Sequence, residues 1–273
     1  MPELPEVHTI ANDLNKHIKG AKIIDIKIAA NYNVHPSNTE FLDKLKGKTI
    51  RNVKRIAKNI LVEVEDMGFI HFHLAMTGRI LLREGKTLDN WTRVAFLLEI
   101  EGNQKILKFT DMRMFGKTGF YRDITSSGLD TKYGPDLINN PPKLDEFIKA
   151  IKKRKTSIKN ALLDQSVVAG LGNIYATDAL FLAGINPERS TATLTESETE
   201  KLLNAALTVL NEGIKYRGST LADKMYVDIF GNSGEYQNHF KIYSKDKCPN
   251  CGSKVSVKKI NGRGTYFCPN CQK

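Results

Sequence analysis

The spacing of hydrophobic residues divides the chain into an early part with alternating patterns and a later part with helical patterns. Residues Glu6 to Ile18 repeat apolar side chains at the three- and four-residue spacing of a helix that buries one face. After Gly20, six stretches rich in Ile, Val and Phe read as strands, several of them alternating with polar residues. These stretches are AKIIDIKIAA, KTIRNVKRI, NILVEVED, FIHFHLAM, RVAFLLEIEG and KILKFTD. The pattern predicts an antiparallel β-sandwich or barrel that the chain enters through a helix.

The pattern changes around residues 133–142, where glycine and proline interrupt regular structure. Beyond this point four stretches have helical spacing, and Thr195 and Glu198 begin the last of them at the positions of a capping box. The chain is loop-like after Gly218, and HFKIYS at 239–244 predicts one more strand. We therefore place a domain boundary between the predicted sandwich and the predicted helices.

The charge of the chain changes the picture, because Lys and Arg outnumber Asp and Glu by 41 to 30 and give a formal net charge of +11. Such an excess predicts a polyanionic partner, most commonly nucleic acid. The excess is uneven, since residues 241–273 carry eight basic residues and one acidic residue, Asp246. No apolar run approaches the length of a membrane span and no signal peptide precedes the first helix. We therefore expect a cytoplasmic protein without membrane partners.

All four cysteines lie in the last 26 residues, as two CxxC pairs that bracket sixteen residues. This spacing supplies four thiolates for one tetrahedral Zn²⁺ and leaves no open coordination position. Disulfides or an iron–sulfur centre are the alternatives for the same residues. We predict one structural zinc ion, with Cys248, Cys251, Cys268 and Cys271 as its ligands.

Two turns in the later part of the chain are typical of anion-binding sites. Arg263 lies between glycines in the turn Asn261 to Gly264, where it either forks onto a phosphate or is a solvated turn residue. Asn173 follows a glycine-rich turn directly before a helix, which either binds an anion or is a capped connection. The basic run 152–155 and Lys159 add positive charge nearby. With the basic C-terminal part, phosphate contact becomes the favoured interpretation.

The chain begins MPELPEV, and removal of the initiator methionine would leave Pro2 with a free secondary amine. A terminal amine titrates near ~7.7–8.0 and a lysine near ~10.4, so the amine is more often unprotonated and nucleophilic at neutral pH. Such an amine forms a Schiff base with an aldehyde or a sugar C1′. The same residues also suit an ordinary helix start, because Pro favours the first turn and Glu3 and Glu6 favour the positive end of the helix dipole.

Several turn residues are unremarkable singly. Lys58 lies between two predicted strands, Met76 precedes a glycine turn, and Arg113 and Phe115 lie in DMRMFG at 111–116. Lysine at a strand edge is usually a surface residue, and methionine is usually a core residue. Together, exposed Met, Phe and Arg on turns suit the unstacking of DNA around an extruded base.

These residues acquire a common meaning because the chain resembles the formamidopyrimidine-DNA glycosylase family over nearly its whole length. The motifs that carry the resemblance are PELPEV, AK at 57–58, HLAMTG, DMRMFG, LLDQSVVAGLGNIYA, GSTLAD and the CPNC…GRGTYFCPNC ribbon. The resemblance implies an α+β multidomain fold, with a catalytic N-terminal β-sandwich and flanking helices over 1–134. It also implies a helix-two-turn-helix DNA-binding domain over 135–243 and a zinc-finger β-hairpin over 244–273.

The resemblance implies an enzyme that excises oxidised purines (8-oxoguanine and formamidopyrimidines) from double-stranded DNA and nicks the strand by β- and δ-elimination. Pro2 would attack C1′ of the damaged nucleotide, Glu3 would serve as acid and base at the sugar, and Glu6 would support the active site. Lys58 would assist elimination and contact phosphate. Arg263 would grip a phosphate and take part in the second elimination.

The resemblance also implies contacts with DNA outside the reacting nucleotide. Met76, Arg113 and Phe115 would fill the vacated base stack, with Arg113 facing the opposite cytosine. Asn173 would grip a phosphate beside the flipped nucleotide, and Lys155 would be a further DNA contact. We expect a monomer.

The chain departs from the family pattern at several positions. A DNA-contacting His is expected in the strands before DMRMFG, and this chain has none there, so we expect Arg93 to take its place. At five other positions the residue differs from the usual one. They are His8 for Glu, Asn59 for an aromatic residue or His, Ala75 for Gly, Met114 for Lys or Arg, and Asp178 for Glu.

Two other functions fit parts of the sequence. An endonuclease VIII-like glycosylase would apply the same chemistry to oxidised pyrimidines. Against it stand the pair Arg113 and Phe115 and the long segment Gly218–His239, which is expected to fold over a flipped purine. A non-catalytic zinc-ribbon DNA-binding protein would explain the charge and the cysteines, but it gives no reason for PELPEV or Lys58.

Overall fold

The protein is described by a computed structural model that covers residues 1–65, 67–85 and 87–273. Asp66, the last residue of the predicted strand NILVEVED, lies outside the described residues. Contacts between residues divide the chain into two compact units, which are described separately below.

The two units do not follow the three-part division that the sequence suggested. The first unit holds residues 1–131 and 216–235, and the second holds 132–215 and 236–273. The segment 216–235, expected with the helices, therefore belongs with the sandwich. The zinc-ribbon residues from 244 onward share a unit with the helices.

The first unit is built on eight strands within the described residues. Its elements are α1 (Leu4–Ile18), β1 (Lys22–Ile28), α2 (Asn38–Leu45), β2 (Ile50–Ile56), β3 (Asn59–Val64), β4 (Gly68–His73), β5 (Gly78–Glu84), β6 (Thr92–Ile100), β7 (Asn103–Asp111), β8 (Lys117–Tyr121) and α3 (Ile124–Ser127). The strands form two four-stranded sheets in the orders β1-β6-β7-β5 and β2-β3-β4-β8, and all their pairings are antiparallel.

The core of the first unit lies between the two sheets and under α1. Val7, Ile10 and Leu14 on one face of α1 are buried with apolar residues from both sheets, such as Phe72 and Phe96. Burying an apolar side chain of this size contributes about 1.5–3 kcal/mol. The predicted helix-entered sandwich is therefore confirmed, and α1 is fixed on β2 and β3 by packing along its whole apolar face.

The second unit is mainly helical. The short helix α4 (Leu129–Lys132) begins in the first unit and ends at the first residue of the second. The second unit then contains α5 (Leu144–Lys152), α6 (Ile158–Leu163), α7 (Asn173–Ala183), α8 (Glu196–Lys215), 3₁₀ turns at Thr191–Thr193 and Tyr236–His239, β9 (Ser256–Ile260) and β10 (Arg263–Phe267). The predicted capping box of α8 is confirmed, because Thr195 and Glu198 exchange hydrogen bonds between side chains and backbone N–H groups at 2.9 and 3.2 Å.

The strand predicted at HFKIYS is wrong. Phe240 and Ile242 are buried as the alternation suggested, but the segment forms turns after a 3₁₀ helix. The reason is Asp178, whose Oδ1 accepts the backbone N–H groups of Ile242 and Tyr243 at 2.9 and 3.0 Å. A buried carboxylate thus satisfies the donors that a neighbouring strand would have satisfied.

Candidate active site

The N-terminus enters the fold as the start of α1, with Pro2 and Glu3 directly ahead of the helix. Glu3 is the N-cap residue, and its backbone N–H donates to Oε2 of Glu6 at 2.8 Å. Met1 is attached and 48% exposed, whereas Pro2 behind it is buried. The prolyl nitrogen is an amide in this form, and removal of the accessible Met1 would convert it into a secondary amine.

Glu6 joins the start of α1 to the segment 216–235. Its Oε1 accepts the backbone N–H of Ser219 at 2.7 Å while its Oε2 holds Glu3. Gly218 passes so close that a Cβ would lie 2.8 Å from Cγ of Glu6, and its φ of +81° also favours glycine. The GSTLAD motif therefore delivers a backbone donor to a carboxylate that is only 2% exposed.

Arg217 anchors the segment 216–235 within the first unit. Its Nη2 lies 2.5 Å from Oδ2 of Asp13 and 2.8 Å from Oδ2 of Asp228. Burial alone would raise the pKa of Asp228, but the backbone N–H of Asn232 and the guanidinium of Arg217 outweigh it and lower that pKa. The segment is therefore held by ion pairs and by Glu6. That it folds over a flipped base stays a prediction.

Lys58 lies in the two-residue turn between β2 and β3. Its side chain is 7% exposed, so it is not the ordinary surface lysine of a strand edge. Ala57 before it has a φ of +52°, which residues with a Cβ seldom adopt. The strand β2 that leads into this turn packs against α1, and the backbone N–H of Val53 donates to Oδ1 of Asn15 at 2.9 Å.

Asp111 organises the loop that carries DMRMFG. It is fully buried, and it accepts the backbone N–H groups of Arg113 at 3.2 Å and of Gly116 at 2.6 Å. The hydroxyl of Thr77, in the HLAMTG turn, donates to the same carboxylate. One buried side chain therefore ties two motif-bearing turns together. Sequence reasoning missed this role, although an Asp shared between a strand end and a glycine turn was a usable signal.

The side chains assigned to the vacated base stack are exposed on these two turns. Met76 is 38% exposed and Phe115 is 54% exposed. The guanidinium of Arg113 lies 4.6 Å from the ring centroid of Phe115, a cation–π distance. Exposed apolar side chains on turns that are anchored by buried hydrogen bonds suit insertion between stacked nucleobases.

Arg93 is buried beside the loop that Asp111 organises. It is 6% exposed, and its Nε donates to the backbone carbonyl of Asp111 at 2.7 Å. Its guanidinium also lies 6.0 Å from the ring of Trp91, which is half exposed. Arg93 therefore supports the Asp111 loop, a role that the sequence did not suggest, and its contact with DNA stays a prediction.

In the second unit, Asn173 is the first residue of α7 and follows the N-cap Gly172. Its Nδ2 donates to the carbonyl of Gly264 at 2.9 Å, which links the glycine turn to the zinc-ribbon hairpin. Its Oδ1 is buried and has no hydrogen-bond partner among the described residues. The turn before it is closed by Gln165, which accepts the backbone N–H of Gly170 at 3.0 Å.

Lys159 does not add surface charge as the sequence suggested. It is fully buried, and its Nζ donates to the carbonyl of Asn173 at 2.9 Å and to the hydroxyl of Thr177. The N–H end of α7 therefore lies beside a buried ammonium group. The helical spacing of TSIKNALLDQS placed Lys159 on the face of α6 that turns inward.

Arg263 and Lys155 line one cleft of about 500 Å³ in the second unit. Arg263 is the first residue of β10, not the tip of the hairpin, because Asn261 and Gly262 complete the turn with φ values of +47° and +74°. Other polar residues of the cleft are Arg154, Thr156, Asn160 and Asp164. The structure thus brings together two of the predicted phosphate ligands.

The four cysteine sulfur atoms lie within 4.8 Å of one another, with Cys248 to Cys271 at 3.8 Å and Cys251 to Cys268 at 3.5 Å. Zn–S bonds of about 2.3 Å in a tetrahedron place sulfur atoms ~3.8 Å apart. The donor set therefore fits one Zn²⁺ with four thiolate ligands. Cys248 and Cys268 pack against Phe181 of α7, so the metal orders a hairpin that is part of the helical unit.

Three of the departures from the family pattern have structural partners of their own. Nε2 of His8 lies 2.7 Å from Nδ2 of Asn12 on α1. Asp178 accepts a hydrogen bond from the hydroxyl of Tyr236. Asn59 is 1% exposed and contacts His71 at 2.8 Å. Ala75 and Met114 have φ values of +50° and +55° in the two turns that Asp111 joins.

Among the described residues, every helix is too short or too polar to cross a membrane.

Comparison with known proteins divides the chain into three matches. Residues 1–118 match the formamidopyrimidine-DNA glycosylase N-terminal domain, and residues 133–225 match the H2TH domain of the same glycosylase. Residues 245–273 match the zinc finger found in this glycosylase and in isoleucyl-tRNA synthetase, described as "Zinc finger found in FPG and IleRS". The matches cover most of both units.

Individual proteins are similar over their whole length. A formamidopyrimidine-DNA glycosylase of Desulforamulus reducens is 37% identical over 280 residues, which cover 100% of this chain and 99% of that protein. A Lactococcus lactis Fpg structure with Fapy-dG-containing DNA has a TM-score of 0.90 at 33% identity, covering 99% of this chain and 100% of that one. A structure titled MutM with carbocyclic 8-oxo-G-containing DNA has a TM-score of 0.90 at 31% identity, covering 100% of both chains.

Proposed function

The chain belongs to the formamidopyrimidine-DNA glycosylase family, and from this premise we propose which residues excise an oxidised purine and which nick the strand. The activity is that of a DNA glycosylase for oxidised purines with an associated lyase step. One observation carries the assignment. The buried carboxylate of Glu6 holds Glu3 and Ser219, and thereby fixes Pro2 at the start of α1.

The first half of the reaction uses Pro2 and Glu3. After Met1 is removed, the prolyl nitrogen attacks C1′ of the damaged nucleotide, and the base leaves with the electrons of the glycosidic bond. The nitrogen loses its proton and forms a C=N bond with C1′ as the C1′–O4′ bond breaks. Glu3 donates a proton to O4′, the role that its place beside the nitrogen supports.

The second half is elimination. The positively charged imine acidifies the C2′ proton, and loss of that proton expels the 3′ phosphate. Loss of a C4′ proton then expels the 5′ phosphate, so the strand is nicked on both sides of the sugar. We assign the support of the first elimination to Lys58, whose buried ammonium suits a departing phosphate, and the second to Arg263.

DNA is held by separate groups in the two units. In the second unit, Asn173, Lys155 and Arg263 bind phosphates, and the zinc ion orders the hairpin that presents Arg263. In the first unit, Met76 and Phe115 fill the space of the flipped base, and Arg113 contacts the base opposite the lesion. Arg93 and Asp111 keep that loop in place.

We further propose that the protein acts as a monomer in the bacterial cytosol, on the nucleoid. Its net charge of +11 supports attraction to duplex DNA. An oxidised-pyrimidine preference, as in endonuclease VIII, is disfavoured by the Arg113–Phe115 pair and by relatives solved with Fapy-dG and 8-oxo-G DNA. A non-catalytic DNA-binding role gives no reason for the PELPEV start or for a lysine, Lys58, that is only 7% exposed.

The test is borohydride trapping on a duplex that contains 8-oxoguanine. Protein that begins at Pro2 is compared with protein that retains Met1, because Met1 converts the prolyl nitrogen from an amine into an amide. We expect the first to form a reduced protein–DNA adduct and to nick DNA, and the second to bind DNA without trapping or nicking. Equal trapping by both forms would overturn the assignment of Pro2.

A further inference from the structure

The turn that carries Lys58 is held by two side chains of its own hairpin. Nη1 of Arg55 donates to the carbonyl of Ala57 at 2.8 Å, and Nδ2 of Asn59 donates to the carbonyl of Ile56 at 3.0 Å. These are the two successive carbonyls that lead into Lys58. Ala57 has a φ of +52°, which is unfavourable for a residue with a Cβ, so these two hydrogen bonds add support to a turn that the paired strands close.

Asn59 is in turn held from the next strand. Its Oδ1 lies 2.8 Å from Nε2 of His71 on β4, diagonally across the β3–β4 pair. Since Nδ2 of Asn59 is engaged by Ile56, the oxygen faces the ring and Nε2 of His71 carries the hydrogen. The ring of His71 also meets Tyr121 of β8 edge-on, with 5.9 Å between centroids. A row of side chains thus runs from the turn across three strands.

Asn59 is 1% exposed, so water does not compete for its two hydrogen bonds. We propose that Asn59 and His71 act as a positioning pair that sets the place of the Lys58 ammonium for strand nicking. The inference rests on the role of Lys58 under the proposed function.

The physical consequence is selective. Pro2 is fixed through Glu3 and Glu6 on α1, and these contacts do not involve Asn59 or His71. Loosening the turn should therefore displace the Lys58 ammonium while the prolyl nitrogen keeps its place. Elimination, which uses Lys58, should slow more than excision of the base.

The experiment measures two single-turnover rates on matched duplexes, release of 8-oxoguanine and nicking of a preformed abasic site. For His71→Ala and Asn59→Ala we expect nicking to fall about tenfold, because small misplacements of a reacting group cost one to two orders of magnitude. Base release should stay within about twofold. His71→Gln should restore nicking, because its amide can donate to Oδ1 of Asn59. His35→Ala is the matched control, since exposed His35 stacks on Tyr121 without contacting the turn.

Each outcome decides the proposal. A ratio of nicking to base release that stays unchanged in His71→Ala, whether or not both rates fall, would overturn it. Failure of folded His71→Gln to recover the nicking rate would also overturn it. If Asn59→Ala does not fold, as judged by thermal unfolding, the His71 variants carry the test. A wild-type protein that neither releases the base nor forms an adduct would instead refute the proposed function itself.

Discussion

The two units of the protein prepare for DNA in opposite ways. In the first unit the start of the chain is built on buried carboxylates, with Glu3 and Glu6 at 3% and 2% exposure and both oxygen atoms of Glu6 engaged. In the second unit the cationic residue Arg263 is exposed, and Asn173 keeps an acceptor without a partner among the described residues. Under the proposed function, this comparison implies that the reacting groups are organised before DNA arrives, whereas the phosphate contacts are completed by DNA.

The difference follows from what each unit must do. A nucleophile and its acid need fixed geometry, because the rate falls steeply with displacement from the reacting atom. Phosphate contacts tolerate variation because charge attraction is long-ranged and independent of base sequence. Lys159 resembles the carboxylates of the first unit in one respect, because it is a buried charged group that is bonded to the backbone at the start of a helix.

The largest expected effect comes from removing a zinc ligand in the second unit. Metal binding contributes on the order of 10 kcal/mol to ordering a small zinc hairpin. We expect Cys268→Ser to lose zinc and DNA binding, measured by metal content and by titration with duplex DNA. The first unit should keep its protection in hydrogen exchange. Unchanged DNA affinity in the metal-free variant would contradict this division of labour.

A smaller effect is expected from Glu6 in the first unit. Glu6→Ala leaves the backbone N–H groups of Glu3 and Ser219 buried without their acceptor, at about 1–3 kcal/mol each. Denaturant unfolding should show that loss, and borohydride trapping should fall while DNA affinity changes little. Trapping at the wild-type rate would indicate that the Glu6 network does not position Pro2. Glu40→Ala, on the surface of α2, serves as the control.

Arg113 tests an exposed group of the first unit. An arginine contact with a base discriminates by about 1–3 kcal/mol, which corresponds to roughly five- to 150-fold. We therefore expect Arg113→Ala to narrow the preference for lesions opposite cytosine over lesions opposite adenine by a factor in this range. Excision rates on the two duplexes give the measurement. A preference that stays intact in Arg113→Ala would assign the discrimination to another residue.

The smallest effect concerns a surface pair of the second unit. A hydrogen bond from Arg189 is the main reason that the pKa of Glu198 is lowered from 4.5 to about 2. The folded pKa lies below the unfolded one, so this stabilisation is present above about pH 4.5 and is lost as the pH falls toward about 2. Arg189→Leu should cost no more than about 1 kcal/mol at neutral pH. Carboxyl NMR titration should show the pKa of Glu198 rising, and an unchanged pKa would refute the pairing.

The sequence sufficed for features that neighbouring residues determine. The helix over Glu6 to Ile18, the capping box at Thr195 and the four-cysteine site each depend on spacing within a short stretch. Residue types at such spacing have few alternatives, so the pattern could be interpreted without the fold. The family motifs assigned roles to Pro2 and Lys58, and these roles stay predictions.

Contacts between distant residues escaped the sequence. Glu6 and Ser219 are 213 positions apart, and Thr77 and Asp111 are 34 apart, so no local pattern joins them. The strand predicted at HFKIYS failed for the same reason, because Asp178 takes its backbone donors from 64 positions away. Arg93, which was predicted to contact DNA, likewise lies buried where β6 and β7 pair.

The central claim is that the nitrogen of Pro2 is the nucleophile. Its most direct test is mass spectrometry of the peptide that carries the borohydride-reduced adduct, formed on a duplex that contains 8-oxoguanine. We predict that the sugar fragment maps to Pro2 at the first position of the mature chain, and that Lys58→Ala still gives the same adduct while nicking slowly. A sugar fragment on Lys58, or on any other lysine, would contradict the account.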